Sequence, residues 1–248
     1  MTLRLNGIVF RYTRSTAVFD GLDLSISSPA TVLLGPNGAG KSTLMGLAAT
    51  HLRAERGSVS WKGKVPGSRR DTVAYVSAVA WLPQEIVAIP GLTVREQVAY
   101  MGWLKGMSRS TAWDASRDAL ERVRLTELAG RRSHQLSGGQ KRRMGLAGAL
   151  THKSELILMD EPTAGLDPTQ RKIFRSLLDT LRGEVHIVVS THQTEDLADS
   201  YSEVIVLDQG AVRFQGGTQE FHSLAGNTTD GPRERAEAAY AQLVRGEV

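Results

Sequence analysis

Residues 35–43 read GPNGAGKST, with the apolar run TVLL (31–34) before them and LMGLAATHL (44–52) after them. The spacing is G-x-x-x-x-G-K-S/T in full, between what reads as a buried strand and what reads as a helix. Glycine at Gly35, Gly38 and Gly40 lets backbone N–H groups curl round an anion where a Cβ would obstruct. Asn37 and Thr43 complete the loop. Lys41 adds a point charge aimed at β- and γ-phosphates, and the Ser42 hydroxyl is suited to Mg²⁺. This stretch predicts an α/β fold with a phosphate site at a strand end.

Two further strands support that site. LILMDEP (156–162) is apolar up to Asp160, and VVSTH (188–192) ends in a polar tip. Open α/β sheets place ligands at the carboxyl ends of their strands. Asp160 is therefore read as a Mg²⁺ group acting through water. Glu161, next along, is read as a general base that polarises an attacking water. His192 is a candidate for orienting that water at the γ-phosphate.

Outward from these motifs, LRLNGIVFRY and LDLSIS alternate apolar and polar residues, as half-buried strands do. GSVSWKG and VAWLPQ read as short strands. From about Glu85 to Leu136 the β signal gives way to helical spacing, so a helical insertion is expected. PTQRKIFRSLLDTLR reads as a helix with Pro168 in its first turn. SEVIVLDQGAVRFQGG reads as a hairpin turning at Asp208-Gln209-Gly210. A sheet covered by helices follows, mixed rather than purely parallel. The end of the chain reads as a polar linker and then an amphipathic helix, with Ala236, Ala239, Tyr240, Leu243 and Val244 on one face.

The chain has 248 residues, 41% hydrophobic and 23% charged, as in ordinary soluble proteins, and a formal charge of +4. With no cysteine it has no disulfide framework and no thiolate metal site. No signal-like N-terminus and no apolar run of about 18 residues is read. A cytoplasmic location is expected.

LSGGQ (136–140) poses a separate question. Ser137 is a natural N-cap, but glycine in a first helical turn costs about 1 kcal/mol against alanine. Close approach of backbone to a ligand would account for Gly138 and Gly139. Helix N-termini attract anions, and the chain already has a better phosphate loop.

The order and spacing of GPNGAGKST, LSGGQ, LMDEP, AGLD and STH resemble the ATP-binding subunit of ABC transporters over about residues 1–220. The resemblance implies a P-loop NTPase (RecA-like) core with a mixed antiparallel β subdomain and a helical subdomain carrying the signature. It implies an ATP-binding domain over 1–222, with the helical subdomain inserted at about 85–140, and a linker and helix over 223–248. It also implies two subunits packed head to tail, the signature of one (Ser137, Gly138, Gly139, Gln140) facing ATP on the loop of the other. By position Tyr12 would stack on adenine, Gln84 would contact Mg²⁺ and open the insertion, and Asp167 would cross the dimer interface. The usual LARAL is here LAGAL, with Gly148 in place of an arginine.

LTVREQVAYMGWLKGMSR and AEAAYAQLVRGE resemble exporter subunits that serve a separate transmembrane permease. Ile86, Val87 and Ile89 would line the groove that receives it, unless they are core. The expected partners are that permease and a second copy or a paralogue, with the chain peripheral on the inner face of the membrane. Importer subunits and soluble assembly scaffolds stay open as alternatives. DNA-repair relatives place long coiled coils before the signature. Only about 52 positions separate Gln84 from Leu136, so no nucleic-acid partner is expected.

Overall fold

The computed structural model describes residues 2–13, 16–194, 201–226 and 231–244. Residues 227–230 and 245–248, within the stretch read as linker and helix over 223–248, lie outside the described residues. The chain forms two compact units, residues 1–66 with 186–248, and residues 67–185. The first unit begins with β1 (Leu3–Thr13), β2 (Thr16–Ile26), β3 (Ala30–Leu34), α1 (Lys41–Ala48) and β4 (Arg56–Trp61). The second contains α2 (Arg69–Ala78), β5 (Val79–Leu82), α3 (Val94–Leu104), α4 (Arg109–Arg122), α5 (Gly138–Thr151), β6 (Leu156–Asp160) and α6 (Pro168–Leu181). The first unit resumes with β7 (His186–Thr191), β8 (Glu203–Asp208), β9 (Ala211–Gly217), α7 (Thr218–Ser223) and α8 (Pro232–Leu243).

In the first unit, β2, β1 and β4 make an antiparallel sheet with β1 in the centre. A second set runs β7-β3-β8-β9, with β3 parallel to β7 and β8 and β9 antiparallel to β8. All five residues of β3 are buried, which is why it reads as a continuous apolar run rather than an alternating one. The β8–β9 turn places Gln209 and Gly210 at φ 48° and 74°. Positive φ at both central residues gives the twist that joins adjacent strands tightly. A Cβ on Gly210 would lie 1.9 Å from the Val18 carbonyl oxygen, so the hairpin tip requires glycine on two counts.

Helix α8 turns its apolar face onto this unit. Ala236 and Ala239 are buried with Val32, Leu34, Val204, Val206 and Phe221, and Tyr240, Leu243 and Val244 pack partly buried against the same cluster. All five positions on the face read from the sequence take part.

The second unit holds the parallel pair β5–β6 and most of the helices. Helix α2 has no counterpart among the elements read from sequence. Its apolar residues lack a clear stripe, and it forms behind Ser68, whose hydroxyl accepts from the Asp71 N–H at 3.2 Å. Lys105 closes its other end, donating to the carbonyls of Val76 at 2.8 Å and Val79 at 3.0 Å. Helix α3 starts in a capping box, Thr93 with Glu96. Helix α6 starts at Asp167, whose carboxylate accepts from the Gln170 N–H at 2.9 Å, with Pro168 in its first turn. Its Phe174, Leu177, Leu178 and Leu181 are buried at helical spacing.

Helix α5 is buried on most of its circumference, and its glycines make this possible. A Cβ on Gly139 would lie 2.5 Å from Gln170, one on Gly145 2.8 Å from Ile86, and one on Gly148 2.4 Å from Met101. Each glycine receives a side chain from a different part of the unit. LAGAL is thus a packing solution, in which Met101 of α3 fills the space at Gly148. Glycine's low helix propensity is offset there by close contact.

Candidate nucleotide site

The phosphate loop lies between β3 and α1. Gly40 caps α1 at φ 103°, and Gly38 has φ 82° with no atom within 4 Å of where a Cβ would stand. Gly35 sits where a Cβ would meet the Leu207 carbonyl oxygen at 2.2 Å. Gly35 is therefore fixed by its own fold, whereas Gly38 faces open space. Lys41 is buried, and its ammonium donates to the carbonyls of Gly35 at 2.8 Å and Pro36 at 3.0 Å. Those bonds hold the charge over the loop. Asn37, Gly38 and Ser42 are exposed and Thr43 is buried. The hydroxyls of Tyr12 and Thr43 are 3.1 Å apart, and the Tyr12 ring meets Phe10 edge-on at 5.0 Å. That anchoring leaves Tyr12 60% exposed, a surface on which a planar base can stack. His192 follows β7 directly and is exposed.

In the second unit Asp160 ends β6 and is buried. Glu161 follows at φ 45°, a left-handed conformation that non-glycine residues rarely adopt. Gln84 Nε2 donates to a Glu161 carboxylate oxygen at 3.4 Å. At the start of α5, Ser137 Oγ accepts from the Gln140 N–H at 3.3 Å, and Gln140 Oε1 accepts from the Ser137 N–H at 2.9 Å. The cap uses an acceptor lone pair of Ser137 and leaves its hydroxyl hydrogen to donate. Gly138 is exposed, with nothing within 4 Å of where its Cβ would be, whereas Gly139 is buried against Gln170. Open space at Gly138 leaves its backbone accessible, and packing against Gln170 of α6 gives Gly139 a reason of its own to be glycine.

The groove residues divide in the same way. Ile86 packs on Gly145, and Gln97, buried in α3, braces the preceding loop through the Val87 carbonyl and the Ile89 N–H. Val87 alone of the three is exposed, at 71%. Sequence reasoning missed a larger apolar surface in the same unit. Leu92, Ala99, Tyr100 and Trp103 line a groove of about 610 Å³ with Ala112 and Trp113 of α4. Tyr100 and Trp103 stack with centroids 5.6 Å apart, and the Arg95 guanidinium lies 3.9 Å from the centre of the Trp113 ring. The available signal was two aromatics three residues apart on one helix.

The family profile described as ABC transporter matches residues 19–164. The chain is 35% identical over 223 residues to the energy-coupling factor transporter ATP-binding protein EcfA of Methanocaldococcus jannaschii, covering 87% of this chain and 79% of that one. It is 31% identical over 229 residues to the linearmycin resistance ATP-binding protein LnrL of Bacillus subtilis, covering 92% and 73%. This chain belongs to the ABC transporter ATP-binding family. Among solved structures, cbiO1 of Clostridium perfringens, part of the ABC transporter complex cbiONQ, superposes with a TM-score of 0.75 at 26% identity, covering 88% of this chain and 89% of that one. The α/β P-loop class expected from sequence holds, and this ABC ATPase takes ATP as its substrate.

Among the described residues no group of three or more His, Cys, Asp or Glu could hold a metal alone. Mg²⁺ needs no such group, because it keeps several waters and takes one or two carboxylates together with substrate phosphates. Ser42 in the first unit, and Gln84 and Asp160 in the second, each carry an oxygen donor of that kind. Among the described residues no helix is long and apolar enough to cross a membrane.

Proposed function

We propose that this ABC ATPase powers export of a substrate through a separate transmembrane permease, hydrolysing MgATP held between two head-to-tail subunits. Gly35, Asn37, Gly38, Gly40, Lys41 and Thr43 bind the phosphates, and Tyr12 stacks on the adenine. Ser42, Gln84 and Asp160 would hold Mg²⁺, which would supply neutralisation of phosphate charge. Glu161 accepts the proton of the attacking water, and His192 orients that water against the γ-phosphate. Ser137, Gly138, Gly139 and Gln140 of the opposing subunit bind the γ-phosphate, with Asp167 lying at the dimer interface. The opposing subunit is a second copy or a paralogue. Binding ATP then favours the closed pair and hydrolysis releases it, so nucleotide free energy becomes motion.

The observation that carries the permease reading is the aromatic groove of α3 and α4. Trp103 is 43% exposed there beside Tyr100 and Trp113, and contiguous apolar surface of this kind marks an interaction site. A groove lined in this way suits an amphipathic helix, which a permease can present at the inner membrane face. The export direction is supported by the resistance function in the name of the Bacillus relative. The test is a pull-down of tagged protein from detergent-solubilised membranes. A multi-span protein recovered with the wild type and lost with Trp103→Glu, while ATP binding persists, is the expected result. Recovery of soluble partners alone sinks the permease reading and moves the function to an assembly scaffold.

A further inference from the structure

We infer that Arg142 is a positioning residue for hydrolysis, holding the backbone of Glu161 from the signature helix. This rests on the reading of Glu161 as the general base. Arg142 lies one turn into α5, four residues after Gly138. Its Nη1 donates to the Glu161 carbonyl and its Nη2 to the Ala164 carbonyl at 2.9 Å. The Ala164 N–H also donates to the Glu161 carbonyl, at 3.1 Å. The turn after β6 is therefore closed by its own backbone and clamped again by a planar fork spanning both of its ends.

The clamp acts at a residue that needs holding. Glu161 stands at φ 45°, and such backbone persists only where its surroundings over-determine it. Charge-assisted bonds from a guanidinium are stronger than neutral ones and fix two acceptors at once. Arg142 is half-buried, and burial lowers its pKa while the charges of Glu161 and then Asp160 oppose that loss. Its neighbour Arg143 turns elsewhere, donating to the carbonyls of Val123 at 3.2 Å and Arg124 at 3.1 Å. Of these two consecutive arginines, only the first reaches the turn that carries the base. The helix that starts in the signature is thereby tied to the backbone of the Glu161 turn in its own subunit.

The experiment is steady-state MgATP hydrolysis by the full chain carrying Arg142→Ala, Arg142→Lys or Glu161→Gln. Arg142→Ala is expected to lower kcat about 10-fold with KM for MgATP changed less than about 2-fold, the pattern of a lost transition-state interaction. Arg142→Lys falls between, because an ammonium is a point charge that cannot fork to two carbonyls. Millimolar guanidinium restores part of the kcat of Arg142→Ala and none to Glu161→Gln. A kcat for Arg142→Ala equal to wild type while Glu161→Gln is inactive overturns the role of Arg142 alone. A loss of kcat that follows loss of folded protein by circular dichroism, without guanidinium rescue, overturns it too. Wild-type turnover by Glu161→Gln removes the base reading, and this one with it.

Discussion

The side-chain amide of Gln84 donates to the carboxylate of Glu161 across 3.4 Å. The residue that opens the helical segment thus touches the residue proposed as the base. Replacing Glu161 by glutamine keeps the shape and removes the proton acceptor. General-base groups contribute about 10²–10⁴-fold, so Glu161→Gln should lower turnover by at least about 100-fold while ATP still binds. Size-exclusion chromatography with ATP should then show a long-lived dimer. Unchanged phosphate release would exclude Glu161 as the base.

The two signature glycines should separate by experiment. Gly138 has open space where a Cβ would go, and Gly139 has Gln170 at 2.5 Å. Gly138→Ala should leave the melting temperature unchanged or raise it, since alanine favours a helix by up to about 1 kcal/mol, yet weaken ATP-dependent dimerisation. Gly139→Ala should lower the melting temperature relative to Gly138→Ala, with the gap closing in a Gln170→Ala background. Ser137→Arg should block dimerisation while ATP binding to the monomer survives. Loss of monomer binding by Ser137→Arg would mean that the signature is not shared between subunits.

Gly148 provides a stability test away from the nucleotide. Alanine there would place its Cβ 2.4 Å from the Met101 sulfur and 3.2 Å from the Met101 Cβ. Overpacking of this kind costs about 1–3 kcal/mol, more than alanine's gain in helix propensity. Urea denaturation should therefore show Gly148→Ala to be less stable than wild type, and Met101→Ala should restore part of the loss. A more stable Gly148→Ala would show that Met101 repacks freely.

Much of the fold is legible in the amino-acid sequence. The phosphate loop can be read because glycine and lysine spacing there encodes backbone geometry directly. Strands β3, β6 and β7 can be read because strands buried on both faces are continuous apolar runs. The face of α8 can be read because helical spacing survives in its five apolar positions. What failed to show had no local signal. Helix α2 depends on capping and on Lys105, which lies a whole helix further along the chain. The reason for Gly148 lies in Met101, on the other side of α4, and Arg142 looks like any surface arginine until the turn at Glu161 is in place. Aromatic exposure at Trp103 and Trp113 depends on which faces of α3 and α4 are covered, and periodicity alone does not say.

The last prediction concerns pH. His152, just after α5, has its ring Nδ1 3.0 Å from the Ser77 carbonyl oxygen. Burial, and then the positive charge of Lys105, push its pKa from 6.5 down to about 4, against a smaller opposing pull from backbone hydrogen bonding. The folded state therefore holds this imidazole neutral while the unfolded chain protonates it near 6.5. The unfolded state binds more protons between those two values, so stability is fully present above pH 6.5 and is lost as pH falls toward 4. His152→Gln keeps a polar group within reach of Ser77 and cannot titrate. Urea midpoints measured from about pH 7 to about pH 4 should fall less steeply for His152→Gln than for wild type. Equal slopes would mean that other groups carry the acid sensitivity and that His152 binds protons equally well in the folded and unfolded chain.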